Sequence, residues 1–422
     1  MTRDDVLKAM TCTMRAGQTM LESSVSVAEV TDVMLRLTRA FGLDHCEVSI
    51  TLNTITMCDL PTDGPPETMV KVVDVGEPRL DRLADIETVT SQVEQGELSL
   101  EGAYGRIKEI ERSAVPYPWW VTFLATLLSV AAWVVFAGGG LVAALAGVLG
   151  AVVMVPILGR IERLHLPVLV GTFVAGAVVV TVPNLIMATD IGIAINAAII
   201  GGLYPLLPGG ALVASITDGL SGAPISGLAK GLQSAVVALV LGLGVASAQA
   251  VIDYFDIEGD PTEVVVPFVG LLAATAIAIG ALAVARGMPM SALLPTTGLA
   301  VSAWLVVYFA PGRGIGANVA TAVAAGVIGL GGQLFARLQR TPGTLYTTSA
   351  VYVLVPGTAI YFAMSGFAAG DEQLATDALF NALRTATAIA GGIAVGVGLG
   401  RSVPAPRPRV SLFRRNRAPK VR

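Results

Sequence analysis

Residues 119–400 form a near-continuous series of apolar stretches, and each stretch is long enough to cross a bilayer. A helix that rises 1.5 Å per residue needs roughly 20 apolar residues to span about 30 Å of hydrocarbon. Because no soluble core requires so many consecutive runs of that length, the sequence predicts a polytopic α-helical membrane protein with about ten transmembrane helices. The predicted spans cover residues 119–137, 141–158, 166–184, about 186–220, 231–252, 264–285, 290–309, 315–336, 349–368 and 378–400.

Charge divides the chain into three regions. Residues 1–118, which we call the head, hold 20 of the 31 acidic residues and 11 of the 27 basic residues. Residues 119–400, the membrane body, hold the other 11 acids but only 8 bases, and residues 401–422 hold 8 bases and no acid. The overall net charge of −4 hides this division and indicates no partner. We predict a head at 1–118, membrane repeats at 119–252 and 253–400, and a basic tail at 401–422.

The head is predicted to be a small α+β domain. Apolar residues recur at helical spacing in 6–21 and 30–37, and residues 46–52, 54–60 and 68–75 alternate like a short antiparallel sheet. Two more helices are predicted at about 81–95 and 98–112. The three cysteines have no metal-binding spacing, so we expect free thiols at Cys12, Cys46 and Cys58.

The distribution of Lys and Arg predicts the orientation. The N-terminus has no basic region followed by an apolar run, so we expect no cleaved signal peptide and a cytoplasmic head. The cytoplasmic loops then collect six bases, whereas the outer loops hold Arg313 and most acids of the body. An even number of spans returns the tail to the cytoplasm. The six bases are Arg160, Arg163, Lys230, Arg286, Arg337 and Arg340.

An internal repeat is the second strong feature of the body. The segment LLPGGA at 206–211 matches LVPGTA at 354–359, and a lone base follows each segment, Lys230 and Arg384. Because each repeat contains five predicted spans, an odd number, the second repeat must be inverted relative to the first. Inverted repeats with matching interrupted helices are typical of secondary transporters, whose site lies at the interruptions. We therefore predict a five-plus-five inverted repeat behind a cytoplasmic α+β head.

The two interruptions are the predicted substrate site. Proline removes a backbone donor and glycine relaxes the helix, and the unpaired groups that result must face protein or a watered cavity. Amides at the start of a half-helix suit a carboxylate, and freed carbonyls suit an ammonium group. The alternative is a plain proline kink that binds nothing. The predicted substrate-binding residues are Pro208, Gly209, Gly210, Ser215, Thr217, Pro356, Gly357 and Thr358.

Charged residues of the body are candidates for coupling transport to an ion gradient. Asp218 ends the fourth run, and an ionisable residue at membrane depth is a functional candidate. The alternative for Asp218 is a helix cap at the cytoplasmic surface, whereas Asp190 is interpreted as an exposed loop acid. The predicted coupling residues are Asp218, Lys230 and Arg384.

Motifs for chemistry on a substrate are missing from the sequence. It has no GxxxxGK[ST] phosphate-binding loop, no HExxH and no GxSxG, and its only histidines are His45 and His165. We therefore expect no enzyme activity, no cofactor, no metal site and no nucleic-acid partner. An ion gradient remains as the energy source, or none.

Short segments in both regions carry a resemblance to a known family. They are LESS (21–24), FGL (41–43), GELSLE (96–101) and YP (117–118) in the head, and LPG (207–209), DGLSG (218–222) and SGLA (226–229) in the body. Together they resemble the threonine/serine exporter family over the whole chain. Members more often have Arg at the position of Lys230, which keeps the charge, and Leu at the position of Gly219.

The resemblance implies about ten spans and proton-driven export of threonine and serine from the cell. The predicted partners are a small amino acid and the lipid bilayer, and a homo-oligomer is left open. The predicted location is the cell membrane, with both termini cytoplasmic. Two alternatives are an exporter of another small metabolite, such as a dicarboxylate, and a membrane sensor whose head binds a ligand.

Overall fold

The structure is a computed structural model. It describes residues 2–23, 25–61, 65–73, 79–189, 192–208, 211, 214–215, 218–219, 222–255, 264–339 and 341–402. The predicted tail beyond residue 402 lies outside this range. So do Asp190 and three of the predicted substrate-binding residues, Gly209, Gly210 and Thr217.

The described part of the head contains four helices and a three-stranded antiparallel sheet. These are α1 (Arg3–Glu22), α2 (Val27–Ala40), β1 (Cys46–Thr51), β2 (Thr54–Asp59), β3 (Glu67–Val72), α3 (Leu80–Glu94) and α4 (Leu100–Arg112), with strand order β1-β2-β3. The side chain of Ser26 caps the start of α2, because it accepts a hydrogen bond from the backbone of Glu29. Gly42 follows α2 with a φ of 80°, the left-handed conformation that ends many helices.

The membrane body contains eleven described α-helices. They are α5 (Trp119–Phe136), α6 (Leu141–Arg163), α7 (Val168–Met187), α8 (Ile195–Leu203), α9 (Pro224–Tyr254), α10 (Phe268–Ala285), α11 (Met290–Phe309), α12 (Ala317–Gln339), α13 (Gly343–Ala350), α14 (Gly357–Ala369) and α15 (Glu372–Ser402). Large apolar side chains point outward, for example Val265 (93% exposed) and Leu294 (82% exposed), as contact with lipid requires.

Eight helices in the described ranges are long and apolar enough to cross a membrane, and the bent pair α13–α14 raises that number to nine. The chain is therefore a polytopic α-helical membrane protein. The predicted fourth span, residues 186–220, contains α8 and a 3-10 turn, which together form a short apolar helix at residues 195–206. Part of that span lies outside the described residues, so the number ten stays a prediction.

Two pairs of long helices pack at close range through glycine. A Cβ atom on Gly244 of α9 would overlap the carbonyl oxygen of Phe173 on α7. Likewise, a Cβ atom on Gly396 of α15 would overlap the carbonyl oxygen of Gly326 on α12. Small residues allow this approach, because no side chain separates the two backbones. The two pairs occupy the third and fifth positions of the two predicted repeats.

Candidate functional site

The two sequence interruptions have the same local structure. After α8, a 3-10 turn at Tyr204–Leu206 leads to Leu207, which is extended with φ −67° and ψ 133°. After α13, a 3-10 turn at Val351–Leu354 leads to Val355, which is extended with φ −59° and ψ 131°. Proline follows in both cases, and the chain bends by 52° between the α13 segment and α14. The Pro-Gly pattern therefore interrupts the second helix as its backbone chemistry requires.

The two interruptions lie against each other. A Cβ atom on Gly357 would be 2.9 Å from Cζ of Tyr204 and 3.1 Å from Cδ1 of Leu207. The hydroxyl of Tyr204 donates a hydrogen bond of 3.4 Å to the carbonyl of Val355. The ring of Tyr204 is in turn stacked on Trp133, with 4.1 Å between ring centroids. Sequence alone indicated two similar breaks, and the structure places them in contact.

A cavity of about 1980 Å³ opens between the head and the membrane body. Its walls come from α2 and α3 of the head and from α6, α7, α9, α12, α13 and α15 of the body. Residues 205–208 of the first interruption line it, whereas Pro356, Gly357 and Thr358 of the second do not. The body wall carries hydroxyl and amide groups, among them Thr347, Thr348 and Gln233, which give the cavity polar contacts for a small solute.

Asp218 and Lys230 form a buried ion pair near this cavity. The Nζ atom of Lys230 lies 2.6 Å from Oδ2 of Asp218, and the two residues are 9% and 0% exposed. Lys230 is on the second turn of α9, and Asp218 precedes that helix. The hydroxyl of Ser215 donates a hydrogen bond of 2.6 Å to the carbonyl of Gly227, also on α9. Ser215 therefore fastens this segment to α9, and its hydroxyl is already engaged.

The same ion pair contacts the head. The backbone N–H of Val27, the first residue of α2, donates to Oδ1 of Asp218 at 3.1 Å. Lys230 Nζ donates to the carbonyl of Val25 at 3.3 Å. A carboxylate at a helix N-terminus is stabilised by the helix dipole and by free N–H groups. Asp218 thus accepts at a helix start, as one sequence interpretation expected, but the helix belongs to the head.

Charged side chains line the end of the cavity at the head. Arg36 of α2 is bound by Glu94 and by Glu87, at 2.6 Å and 2.8 Å. The hydrogen bonds that Arg36 donates to Glu94, together with the charge of Glu87, raise the pKa of Arg36 above its ordinary value, so the guanidinium stays charged. Glu29 accepts a hydrogen bond of 2.8 Å from the hydroxyl of Thr344 on α13. Both signs of charge are therefore present at this end of the cavity.

Arg286, which follows the last residue of α10 and lines the cavity, is a candidate functional residue that the sequence argument missed. Its Nη2 atom donates to the hydroxyl of Tyr352 at 2.8 Å, and its guanidinium lies 4.3 Å from the centre of that ring. Its Nη1 atom is buried and has no hydrogen-bond partner in the described part of the chain. The sequence showed only a base after an apolar run, which is also the pattern of a simple topology signal.

Two other predicted residues lie apart from the cavity. Thr358 is exposed at the start of α14 and does not line the cavity. Arg384 is exposed on α15. Among the described residues, no group of three or more His, Cys, Asp or Glu side chains is placed to hold a metal ion.

Comparisons with known proteins identify the family. The family model "Putative threonine/serine exporter" matches residues 11–252, and "Threonine/Serine exporter, ThrE" matches residues 271–403. The threonine/serine exporter of Corynebacterium glutamicum is 25% identical over an alignment of 426 residues, which covers 97% of this chain and 86% of the relative. The probable threonine/serine exporter of Mycobacterium tuberculosis is 27% identical over 405 residues, which cover 92% and 76%.

No solved structure matches the chain. The two family models cover most of the head and most of the membrane body, and the first alone covers more than half of the chain. The chain belongs to the threonine/serine exporter family.

Proposed function

We propose that the protein is a secondary active exporter that moves threonine and serine across the cell membrane. The names of both relatives support this substrate class. The observation that carries the proposal is that the break after α8 meets the interrupted helix α13–α14 beside a large cavity, in contact through Tyr204 and Gly357. Interrupted helices that face a cavity are the usual way in which secondary transporters bind a substrate.

The substrate is proposed to bind between the two interruptions. Pro208 lines the cavity, and Gly357 contacts the 3-10 turn that precedes Pro208. Backbone groups freed at both breaks would bind the carboxylate and the ammonium of an amino acid. The further members of the proposed site are Gly209, Gly210, Thr217, Pro356 and Thr358. Ser215 also belongs to it, but its hydroxyl must first break its hydrogen bond to the carbonyl of Gly227 before it can bind the substrate.

Export is proposed to be coupled to protons through Asp218, Lys230 and Arg384. The buried pair of Asp218 and Lys230 supports a role in coupling, because a charge change there alters contacts with the head. The proposed body is an inverted repeat of 119–252 and 253–400, with the head and the tail in the cytoplasm. The placement of basic residues supports this orientation.

An efflux experiment in cells tests the function. Cells that produce the protein and are loaded with a threonine-containing peptide should release free threonine faster than control cells, and serine should compete. Collapse of the proton gradient should slow the release if protons supply the energy. Equal release with and without the protein would contradict export, and release of succinate instead would favour the dicarboxylate alternative.

Orientation has its own test. A reporter that is active only in the cytoplasm should be active when it is fused after Arg422. Activity of an extracellular reporter at that position would contradict the proposed topology and, with it, the even number of spans.

A further inference from the structure

The first turn of α2 in the head contacts two different sides of the membrane body. The N–H of Val27 donates to Asp218, which is paired with Lys230 of α9. Two residues later, Glu29 accepts a hydrogen bond from Thr344 of α13. At 1.5 Å of rise per residue, positions 27 and 29 are about 3 Å apart along the helix axis. One helical turn therefore connects the α9 side of the body with the α13 side.

This connection lies at the wall of the cavity. Val25, Glu29 and Thr344 all line it. Transport by alternating access requires the walls of such a cavity to move relative to each other. A hydrogen bond is lost when its heavy atoms separate beyond about 3.5 Å. Because the two contacts are so close together on one rigid turn, a relative movement of several ångströms must break one of them.

The head has additional attachments on the side that contains α10 to α13. The N–H of Leu80, at the start of α3, donates to the carbonyl of Arg286 at 3.4 Å. The hydroxyl of Tyr117 donates to the carbonyl of Met288 at 2.6 Å. The helix that follows Tyr117 is α5, which packs along α10. These contacts and the one from Thr344 hold the head to the same side of the body.

The contact on the α9 side is easier to release. If α2 moves away, Asp218 and Lys230 still bind each other, so neither charge is left without a partner. Two further contacts lie on this side. Lys230 donates a hydrogen bond of 3.3 Å to the carbonyl of Val25, and in the turn between β1 and β2 the N–H of Leu52 donates to the hydroxyl of Ser226 at 2.9 Å. Leu52 has a φ of 57°, an unfavourable conformation for a leucine.

We propose that the first turn of α2 and the β1–β2 turn form a gate, which opens from the α9 side and stays attached to the α10–α13 side during the transport cycle. The head is then a moving part of the transporter, and Val27 and Leu52 hold the gate closed on α9. The inference rests on the proposed function. A cysteine-free parent, in which Cys12, Cys46 and Cys58 are replaced by serine, provides the background for its tests.

Two cross-links separate the two sides of the gate. Leu52→Cys with Ile225→Cys joins the head to the first turn of α9, where both side chains are exposed. Glu29→Cys with Thr344→Cys joins the head to α13. A short, flexible bis-methanethiosulfonate, which joins two cysteines through disulfides, should stop threonine exchange by the variant with the first pair, and reduction of the disulfides should restore it. The second pair should keep exchanging after the same treatment.

A proline substitution tests the hydrogen bond to Asp218. Val27 is the first residue of α2 and Ser26 before it has ψ 144°, so Val27→Pro fits the helix start and removes only the N–H. Val27→Ala shortens the same side chain but keeps the N–H. With Thr348→Cys as a probe in the cavity, labelling from the head side should rise about ten-fold in Val27→Pro relative to Val27→Ala, because the closed gate has lost a charge-assisted hydrogen bond and opens more often.

Results that contradict the gate differ from the result that contradicts the proposed transport function. If the cysteine-free parent exchanges no threonine, the transport proposal fails. The comparison of Thr348→Cys labelling between Val27→Pro and Val27→Ala still decides whether Val27 holds the gate closed. Exchange by the cross-linked pair of Leu52→Cys and Ile225→Cys would overturn the gate. Arrest of both cross-linked pairs, or equal labelling of Val27→Pro and Val27→Ala in equally stable protein, would overturn it as well.

Discussion

The ring of Tyr204 lies directly against Gly357, so a side chain from the 3-10 turn after α8 fills the space beside the backbone of the break between α13 and α14. A Cβ atom on Gly357 would approach Cζ of that ring to 2.9 Å. The ring cannot easily move aside, because it is buried and stacked on Trp133. The contact fixes how closely the two proposed halves of the substrate site approach each other.

Gly357→Ala should reduce threonine export strongly, and Gly357→Val should abolish it, while both variants still insert into the membrane. The added side chain must displace Tyr204 and Leu207 from the break, and overpacking of this kind costs about 1–3 kcal/mol. Gly298→Ala on α11 is the control, because a Cβ atom there meets nothing within 4 Å. Export by Gly357→Val at the rate of Gly298→Ala would show that the contact is irrelevant to transport.

Gly396→Ala should destabilise the packing of α12 against α15 by about 1–3 kcal/mol, because the new methyl group overlaps the carbonyl of Gly326. Gly398→Ala lies on the same helix, and its Cβ atom meets nothing within 4 Å, so it should be neutral. Thermal unfolding in one detergent compares the two variants. Equal melting temperatures would mean that the two helices do not approach each other this closely.

Asp218→Asn should destabilise the protein, because it leaves the ammonium of Lys230 buried without its carboxylate. Loss of one partner of a buried pair typically costs about 3–5 kcal/mol. The double variant Asp218→Asn with Lys230→Met should recover most of that stability without recovering export. Unfolding measurements and export rates, each normalised to the amount of protein in the membrane, separate the two effects. A stable double variant that exports threonine at the wild-type rate and with the same pH dependence would remove the pair from the coupling mechanism.

The sequence predicted the interruption at Pro356 and Gly357, because Pro and Gly act locally on the helix that contains them. It could not predict the partner of the second break. Tyr204 is an aromatic residue in an apolar run, and nothing in its neighbourhood indicates contact with a carbonyl 151 residues further along the chain. The limits of α9 and α15 were also missed by several residues, because both helices begin before their apolar runs do.

The contacts of Asp218 were equally beyond local sequence. Its neighbours in the chain favoured either a helix cap or a functional carboxylate, and the structure gives it a cap at a helix that lies 191 residues away. Ser215 was selected for its hydroxyl alone, and only packing against α9 shows that this group already binds Gly227. Hydropathy describes which segments enter the membrane, but polar contacts between distant segments depend on the folded arrangement.

Thr358→Val should shift the preference of the transporter from threonine towards alanine and valine. A site that binds a substrate hydroxyl rejects analogues without it, since its own polar groups would be left unpaired. Thr358 is exposed at the first turn of α14, next to Gly357, so the substitution fills no packed space. Competition by alanine and valine against labelled threonine measures the shift. Unchanged preference would place recognition of the hydroxyl elsewhere, for example at the threonines of α13.

Counterflow in proteoliposomes tests the central proposal, export of threonine and serine through the paired breaks, most directly. Vesicles that contain the purified protein and unlabelled threonine should accumulate labelled threonine and labelled serine from outside, and labelled succinate should stay out. Vesicles with Gly357→Val should accumulate none of the three. Accumulation of succinate in place of threonine would contradict the substrate, and unimpaired threonine counterflow by Gly357→Val would contradict the site.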